Sequence, residues 1–147
     1  MQLPGATQIF ETERFSVVAL APSQARGLIG VLLQDEALAA RLAWMEDKSQ
    51  DGALRAAFGI ELQSAAGQVK VWSIVSRERR MQIGAILAKH SLEGIDVEVL
   101  AASRFWDDGV ADEASEPVVA WLSEHVESMF ALDRQASDDL MANLAPL

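Results

Sequence analysis

The sequence predicts one α/β (α+β) domain in which helices cover a mixed sheet. Three observations carry that expectation. The chain has 147 residues, 50% of them hydrophobic, which suits one domain with its own core rather than two. Its apolar letters change period along the chain, from helical spacing to strand alternation and back. Helical stretches lie between the strand-like ones, and that order builds a sheet flanked by helices.

The elements follow in order. Thr12 to Leu20 is β-branched and aromatic, stops at Ala21-Pro22, and is expected to be the first strand. Pro22-Ser23 opens a helix with Leu28, Ile29, Val31, Leu32 and Leu33 on its buried stripe. Asp35 to Met45 continues it, with Leu38, Leu42 and Met45 on one face. Ser49-Gln50-Asp51 is a plausible cap for a further helix that buries Leu54, Ala57, Phe58 and Leu62 and ends at Gly67. The period then changes. Lys70 to Ser76, a polar turn at Arg77 to Arg80, and Met81 to Ala88 read as a hairpin, with Gly84 marking a bulge or a close approach. Ile95 to Ala101 alternates apolar and acidic residues as a third strong strand. A helix with Val118, Val119, Leu122 and Val126 inside follows Gly109. Met129 to Leu132 and Ser137 to Leu144 read as a short strand and a last helix.

Composition excludes several classes of function. Without cysteine there is no disulfide framework, no thiolate metal site and no thiol nucleophile, and a reducing cytoplasm is permitted. His90 and His125 are too few and too separated for a histidine-built metal centre, so no metal is expected. No apolar run approaches the roughly 18 residues of a membrane span, and the first residues lack a secretory pattern, so a soluble protein without membrane partners is expected. The net charge is −10 and unevenly spread. Residues 1–90 hold ten basic against nine acidic residues; residues 91–147 hold two against thirteen. Such a surface repels nucleic-acid phosphates and favours a basic partner.

The stretch Phe105-Trp106-Asp107-Asp108-Gly109-Val110-Ala111-Asp112-Glu113-Ala114 resembles the GNAT superfamily of acyl-CoA-dependent N-acetyltransferases, in the branch that acetylates ribosomal-protein N-termini and similar amines. Trp106, Gly109, Ala111, Glu113 and Ala114 stand where that branch carries the same residues. Thr12-Glu13-Arg14-Phe15 resembles its opening strand, Val71 to Val75 the strand before the hairpin, Ile83-Gly84 the next strand, and Arg134-Gln135-Ala136-Ser137 a late element. The likeness covers roughly residues 11 to 145, in the family's order. It implies a GNAT-like, mostly antiparallel sheet flanked by helices, and acetyl-CoA as cofactor. Amides at a loop entering a helix cradle anions, so the resemblance implies the diphosphate of coenzyme A over Asp107, Asp108, Gly109, Val110 and Ala111, with Trp106 a further cofactor-binding residue. A strand edge at Leu100, Ala101 and Ala102 would pair with the pantetheine arm, and one of its N–H groups would stabilise the oxyanion. Ser137 would reach the thiol region; its other reading is a helix N-cap.

Asp96 and Glu98 lie two apart on one strand face, either as general bases for an amine substrate or as a solvated face. Trp72, Trp106 and Trp121 read as core. Arg77, Arg79 and Arg80 read as a solvated turn or as partners of the cofactor's adenosine phosphates. The chain also departs from the family. Asp107 replaces the first loop glycine, and Asp108 stands where a basic residue or glutamine is usual. At about 6 Å and an effective dielectric near 20, each carboxylate costs a bound diphosphate on the order of 2–3 kcal/mol before screening. Pro117 would kink a helix beginning at Gly109, or would sit in the first turn of a later helix capped by Ser115, which would dissolve the cradle. The chain has no tyrosine to protonate a leaving thiolate, and Leu144 to Leu147 stand where the family continues with two more strands. An edge left open there is expected to pair, giving a homodimer. Two functions are therefore carried forward: acetyl transfer from acetyl-CoA to a primary amine, a protein N-terminus or a small basic amine, and a GNAT-like binding or assembly module without turnover.

Overall fold

The computed structural model describes residues 9–92 and 94–125. The chain divides into two compact units, Met1–Glu116 and Pro117–Leu147. The first holds a five-stranded sheet, antiparallel throughout, in the order β1 (Ile9–Glu11), β2 (Phe15–Ala19), β3 (Val69–Ser76), β4 (Met81–Ser91), β5 (Gly94–Ala101). β1 lies ahead of the first expected strand; three residues are too short to show a period. Three helices separate β2 from β3: α1 (Pro22–Leu32), α2 (Glu36–Ala40) and α3 (Gln50–Ala65). A 3-10 turn over Ser103–Asp108 follows β5, and helix α4 over 110–125 follows the turn.

Local chemistry sets the helix ends. Pro22 occupies the first turn of α1, where its missing N–H costs nothing, and Gln24 Oε1 accepts the Ala21 amide at 2.9 Å. Asp35 caps α2 by accepting Leu38 N–H. Ser49 caps α3 by accepting Gly52 N–H at 3.1 Å, and Asp47 holds the serine from behind. α3 ends at Gly67, φ +78°, with Gly67 N–H on Ser64 O and Gln68 N–H on Gln63 O, the paired bonds of a Schellman motif.

The core on the helix side gathers Ala25, Leu28 and Ile29 of α1, Ala53, Ala57 and Ile60 of α3, and Val71, Ala85, Leu87 and Leu100 of the sheet. The other face of the sheet buries Trp72, Ile74 and Ile86. Two expected faces need correction. Leu54, Phe58 and Leu62 are 45–62% exposed and Val31 is 66% exposed. Small residues of α3 face inward instead, and they let it approach α1 closely: a Cβ added at Gly30 would lie 3.8 Å from that of Ala57. Arg26 covers part of the outer stripe, 5.1 Å above the Phe58 ring.

Gly84 fills both roles expected of it. Between Ile74 and Val75 the β3–β4 register slips and leaves Ile83 as the extra residue of a bulge. A Cβ at Gly84 would lie 2.7 Å from the Leu100 carbonyl oxygen, so only glycine lets β4 and β5 approach there. In the second unit, the Trp121 and His125 rings stack at 4.8 Å, His125 Nδ1 lies 2.9 Å from Trp121 O, and Ser123 Oγ donates to Val119 O. Val119 is 45% exposed rather than inside. Val126, the strand expected at Met129 to Leu132 and the helix expected at Ser137 to Leu144 lie outside the described residues. No helix among the described residues is long and apolar enough to cross a membrane.

Candidate active site

The site is built from the free side of β5. The Ala102 N–H donates to Ile83 O at 3.0 Å, toward β4. Backbone groups alternate sides along an antiparallel ladder, so Leu100 also faces β4, while Ala101 and Val99 turn their N–H and C=O groups away from it. The Ala101 carbonyl agrees, accepting Trp106 Nε1–H at 2.8 Å on that outer side. Among the described residues no strand pairs with that edge. Of the three backbone positions at the end of the strand, Ala101 is the one with an N–H aimed outward.

Beyond β5 the 3-10 turn carries Trp106, Asp107 and Asp108 and closes at Gly109, whose left-handed φ of +69° glycine adopts without strain. That dihedral redirects the chain into α4 at residue 110. The early start is therefore the observed one: the helix runs through Pro117, and Ser115 lies inside it rather than capping it. The amides of Val110, Ala111 and Asp112 belong to the first turn of α4 and have no carbonyl inside the helix to receive them. A cleft of about 260 Å³ joins these amides to the free side of β5; Val99, Ala101, Trp106, Gly109, Val110, Ala111 and Asp112 line it, with Phe105 and Arg41. Asp107 and Asp108 are exposed and do not line it.

Two clamps hold this corner. Glu113 accepts Thr12 Oγ1–H at 2.6 Å, Arg14 N–H at 2.9 Å and Arg14 Nε–H at 2.7 Å. The Thr12 hydroxyl, with the Arg14 amide and guanidinium behind it, outweighs partial burial and holds the Glu113 carboxyl below its ordinary range. The same arginine reaches the glycine: a Cβ at Gly109 would lie 3.8 Å from Arg14 Nη2. On the other side, Asp35 accepts Ser103 N–H at 2.6 Å and Ser103 Oγ–H at 3.0 Å. Burial raises the Asp35 carboxyl, but the Ser103 bonds and the Leu38 and Ala37 amides together bring it below the usual range. At the far end of α2 the Arg41 guanidinium lies 3.7 Å from the Trp106 ring centroid. Helix α2 is thus tied to the turn at both of its ends.

Asp96 and Glu98 share the helix-side face of β5 with Leu100. Glu98 Oε1 accepts Trp44 Nε1–H at 2.8 Å and lies 3.9 Å from Lys89 Nζ, which itself sits 4.5 Å over the Trp44 ring. Asp96 is exposed, opposite Lys89 in register. Structure therefore gives Trp44 a role that nothing in its sequence context indicates. Trp72 is fully buried, whereas Trp106 and Trp121 are half-buried. Arg77 donates to Thr12 O at 2.9 Å, the Arg79 guanidinium carbon lies 5.1 Å from the Phe105 ring centroid, and Arg77, Arg79 and Arg80 are all exposed. Ser137 lies outside the described residues. Arg41 escaped the sequence reading because no motif surrounds it; its position at the cleft arises from a contact 65 residues along the chain.

The fold is similar to those of solved structures. A protein from Vibrio cholerae assigned as a ribosomal-protein-serine acetyltransferase is 15% identical with a TM-score of 0.58, over 83% of this chain and 70% of that one. The ribosomal-protein-S5-alanine acetyltransferase of Vibrio fischeri is 14% identical with a TM-score of 0.55, over 81% and 70%. RimL, the ribosomal L7/L12 alpha-N-protein acetyltransferase solved in complex with coenzyme A, is 15% identical with a TM-score of 0.58, over 78% and 67%. No protein-family model matches the chain, and no curated protein matches it by sequence. The fold is that of the GNAT ribosomal-protein acetyltransferases.

Proposed function

We propose that the chain is an N-acetyltransferase that transfers the acetyl group of acetyl-CoA to a primary amine by direct attack. One observation carries this reading: a single cleft joins the outward-facing main chain of Val99 and Ala101 to the amino-terminal amides of α4. The two halves suit the two halves of one ligand. An extended amide-bearing arm pairs with a free strand edge, and a diphosphate suits a helix amino terminus. The similar fold of RimL, solved with coenzyme A, supports the same ligand.

Acetyl-CoA, when bound, supplies an acetyl thioester at the β5 edge. The Ala101 N–H, which faces the outer side of β5, would be the donor to the negative charge growing on the carbonyl oxygen, and such a donor is worth about 3 kcal/mol. The amine nitrogen would bond to the acetyl carbon as the C–S bond breaks, and coenzyme A would leave as a thiolate that takes a proton from solvent. Glu98, held by the Trp44 indole on the adjoining face of β5, would take the amine's proton through water; Asp96 is the second carboxylate of that face. The acidic second half of the chain suits a cationic acceptor, and the name of RimL, an alpha-N-protein acetyltransferase, supports a protein amino terminus.

Thermal unfolding with acetyl-CoA is the first test. Ligand at about 100 times its dissociation constant adds roughly 2.7 kcal/mol of stability. In acetylation of a panel of peptides and small basic amines, Glu98→Gln is expected to lower kcat by about 10²–10⁴ while leaving cofactor affinity intact. No stabilisation at millimolar cofactor favours the second reading, a binding module that keeps the fold without turnover. The observation behind that second reading is the pair of carboxylates, Asp107 and Asp108, on the turn itself.

A further inference from the structure

We propose that Arg41 is a diphosphate-binding residue of the cleft, supplied by helix α2 instead of by the turn that forms the cradle. The inference rests on the cofactor reading above and deepens it. The ionisable residues in the cleft lining are Arg41 and Asp112, and Asp107 and Asp108 stand exposed on the adjoining turn. The corner is therefore rich in carboxylates, and a bound diphosphate needs a cation there. Five candidates can be compared, of which Arg79 and Arg104 lie against the Phe105 ring and do not line the cleft. Lys89 is drawn to Trp44 and Glu98, and Arg14 is engaged by Glu113. Arg41 belongs to none of the ion pairs among the described residues, and it lines the cleft.

Its geometry suits the task. The guanidinium lies 3.7 Å from the Trp106 centroid, and Trp106 is itself fixed by its bond to Ala101 O at 2.8 Å. A guanidinium stacked on a ring keeps its N–H donors in its own plane, off the edge of the ring, where they can meet phosphate oxygens two at a time. Asp35 secures the other end of α2 to Ser103, so the distance from Arg41 to the α4 amides is set before any ligand arrives. Pre-set donors lose little freedom on binding.

Coenzyme A binding, measured by calorimetry from low to high salt on the wild type, Arg41→Ala and Arg41→Lys, tests this without reference to turnover. Arg41→Ala is expected to weaken binding about 10-fold or more at low salt, as loss of a charge-assisted hydrogen bond does, with the gap closing as salt is added. Arg41→Lys keeps the charge but loses the planar fork, so it is expected to bind more weakly than the wild type and more tightly than Arg41→Ala, with its salt dependence retained. Wild-type affinity in Arg41→Ala overturns the proposal. So does an equal loss in both variants at every salt concentration, which marks a structural role. If Arg41→Ala does not fold, Arg41→Gln, which can still lie on Trp106, replaces it in the same comparison. A wild-type protein that binds no coenzyme A removes the cofactor reading first, a result separable from either variant's.

Discussion

Glu113 shows how a single carboxylate joins parts of the chain that look unrelated in one dimension. It receives the Thr12 hydroxyl and two groups of Arg14, and so ties the segment before β2 to the first turns of α4. Those are two of the five pieces that carried the family resemblance, and the structure brings them within hydrogen-bond distance of each other. Glu113→Gln is expected to cost about 1–2 kcal/mol at neutral pH, since charge-assisted bonds exchange for neutral ones at a partly exposed site. The pH dependence has a definite sign. The folded carboxyl titrates below its ordinary range, so its contribution is complete above the unfolded value of about 4.3 and is lost as pH falls through the folded one. Denaturation of the two proteins in parallel from pH 7 to pH 3 checks this, and their stability gap should close at the acid end.

Among the elements, β4 and β5 approach closely at Gly84. Gly84→Ala would place a methyl 2.7 Å from Leu100 O and 3.2 Å from Ala101 Cα, both main-chain atoms, so the strands must part. A loss of about 1–3 kcal/mol is expected in urea unfolding. Gly27→Ala in α1 is the contrasting case. Nothing lies within 4 Å of the added Cβ, and the helix should gain about 0.5–1 kcal/mol. The elements also show what the sequence could disclose. Ser49, Gly67 and Pro22 mark helix ends through local chemistry, which a linear reading sees, and all three do so here. The buried face of α3 was not legible, because two stripes fit the helical period and the larger side chains lie on the outer one. Packing of small residues against α1 decides between them, and that is a tertiary fact.

For the molecule as a whole, the uneven charge makes a prediction of its own. If the acceptor is cationic, turnover at low substrate should fall as ionic strength rises, while a neutral amine of similar size should be nearly insensitive; initial rates across a salt series separate the two. The location of the cleft was legible from the Trp106 to Ala114 stretch. Its content was only partly so. Val110 and Ala111 belong to the cleft lining, and a sequence motif can mark them. Arg41 enters the lining by way of α2, and its partner Trp106 lies more than fifty residues away; Trp44, outside the lining, meets Glu98 across a similar gap.

The Trp106 indole has one more effect, on how a ligand can lie along β5. An incoming extended chain would normally zip onto an edge rung by rung, yet the rung at Ala101 has already given its carbonyl to tryptophan. The N–H of that residue is open while its carbonyl is shared with the indole, so the rung that exchanges two bonds without a competitor is the one at Val99. The visitor's alignment is thereby dictated by a side chain that need never touch it.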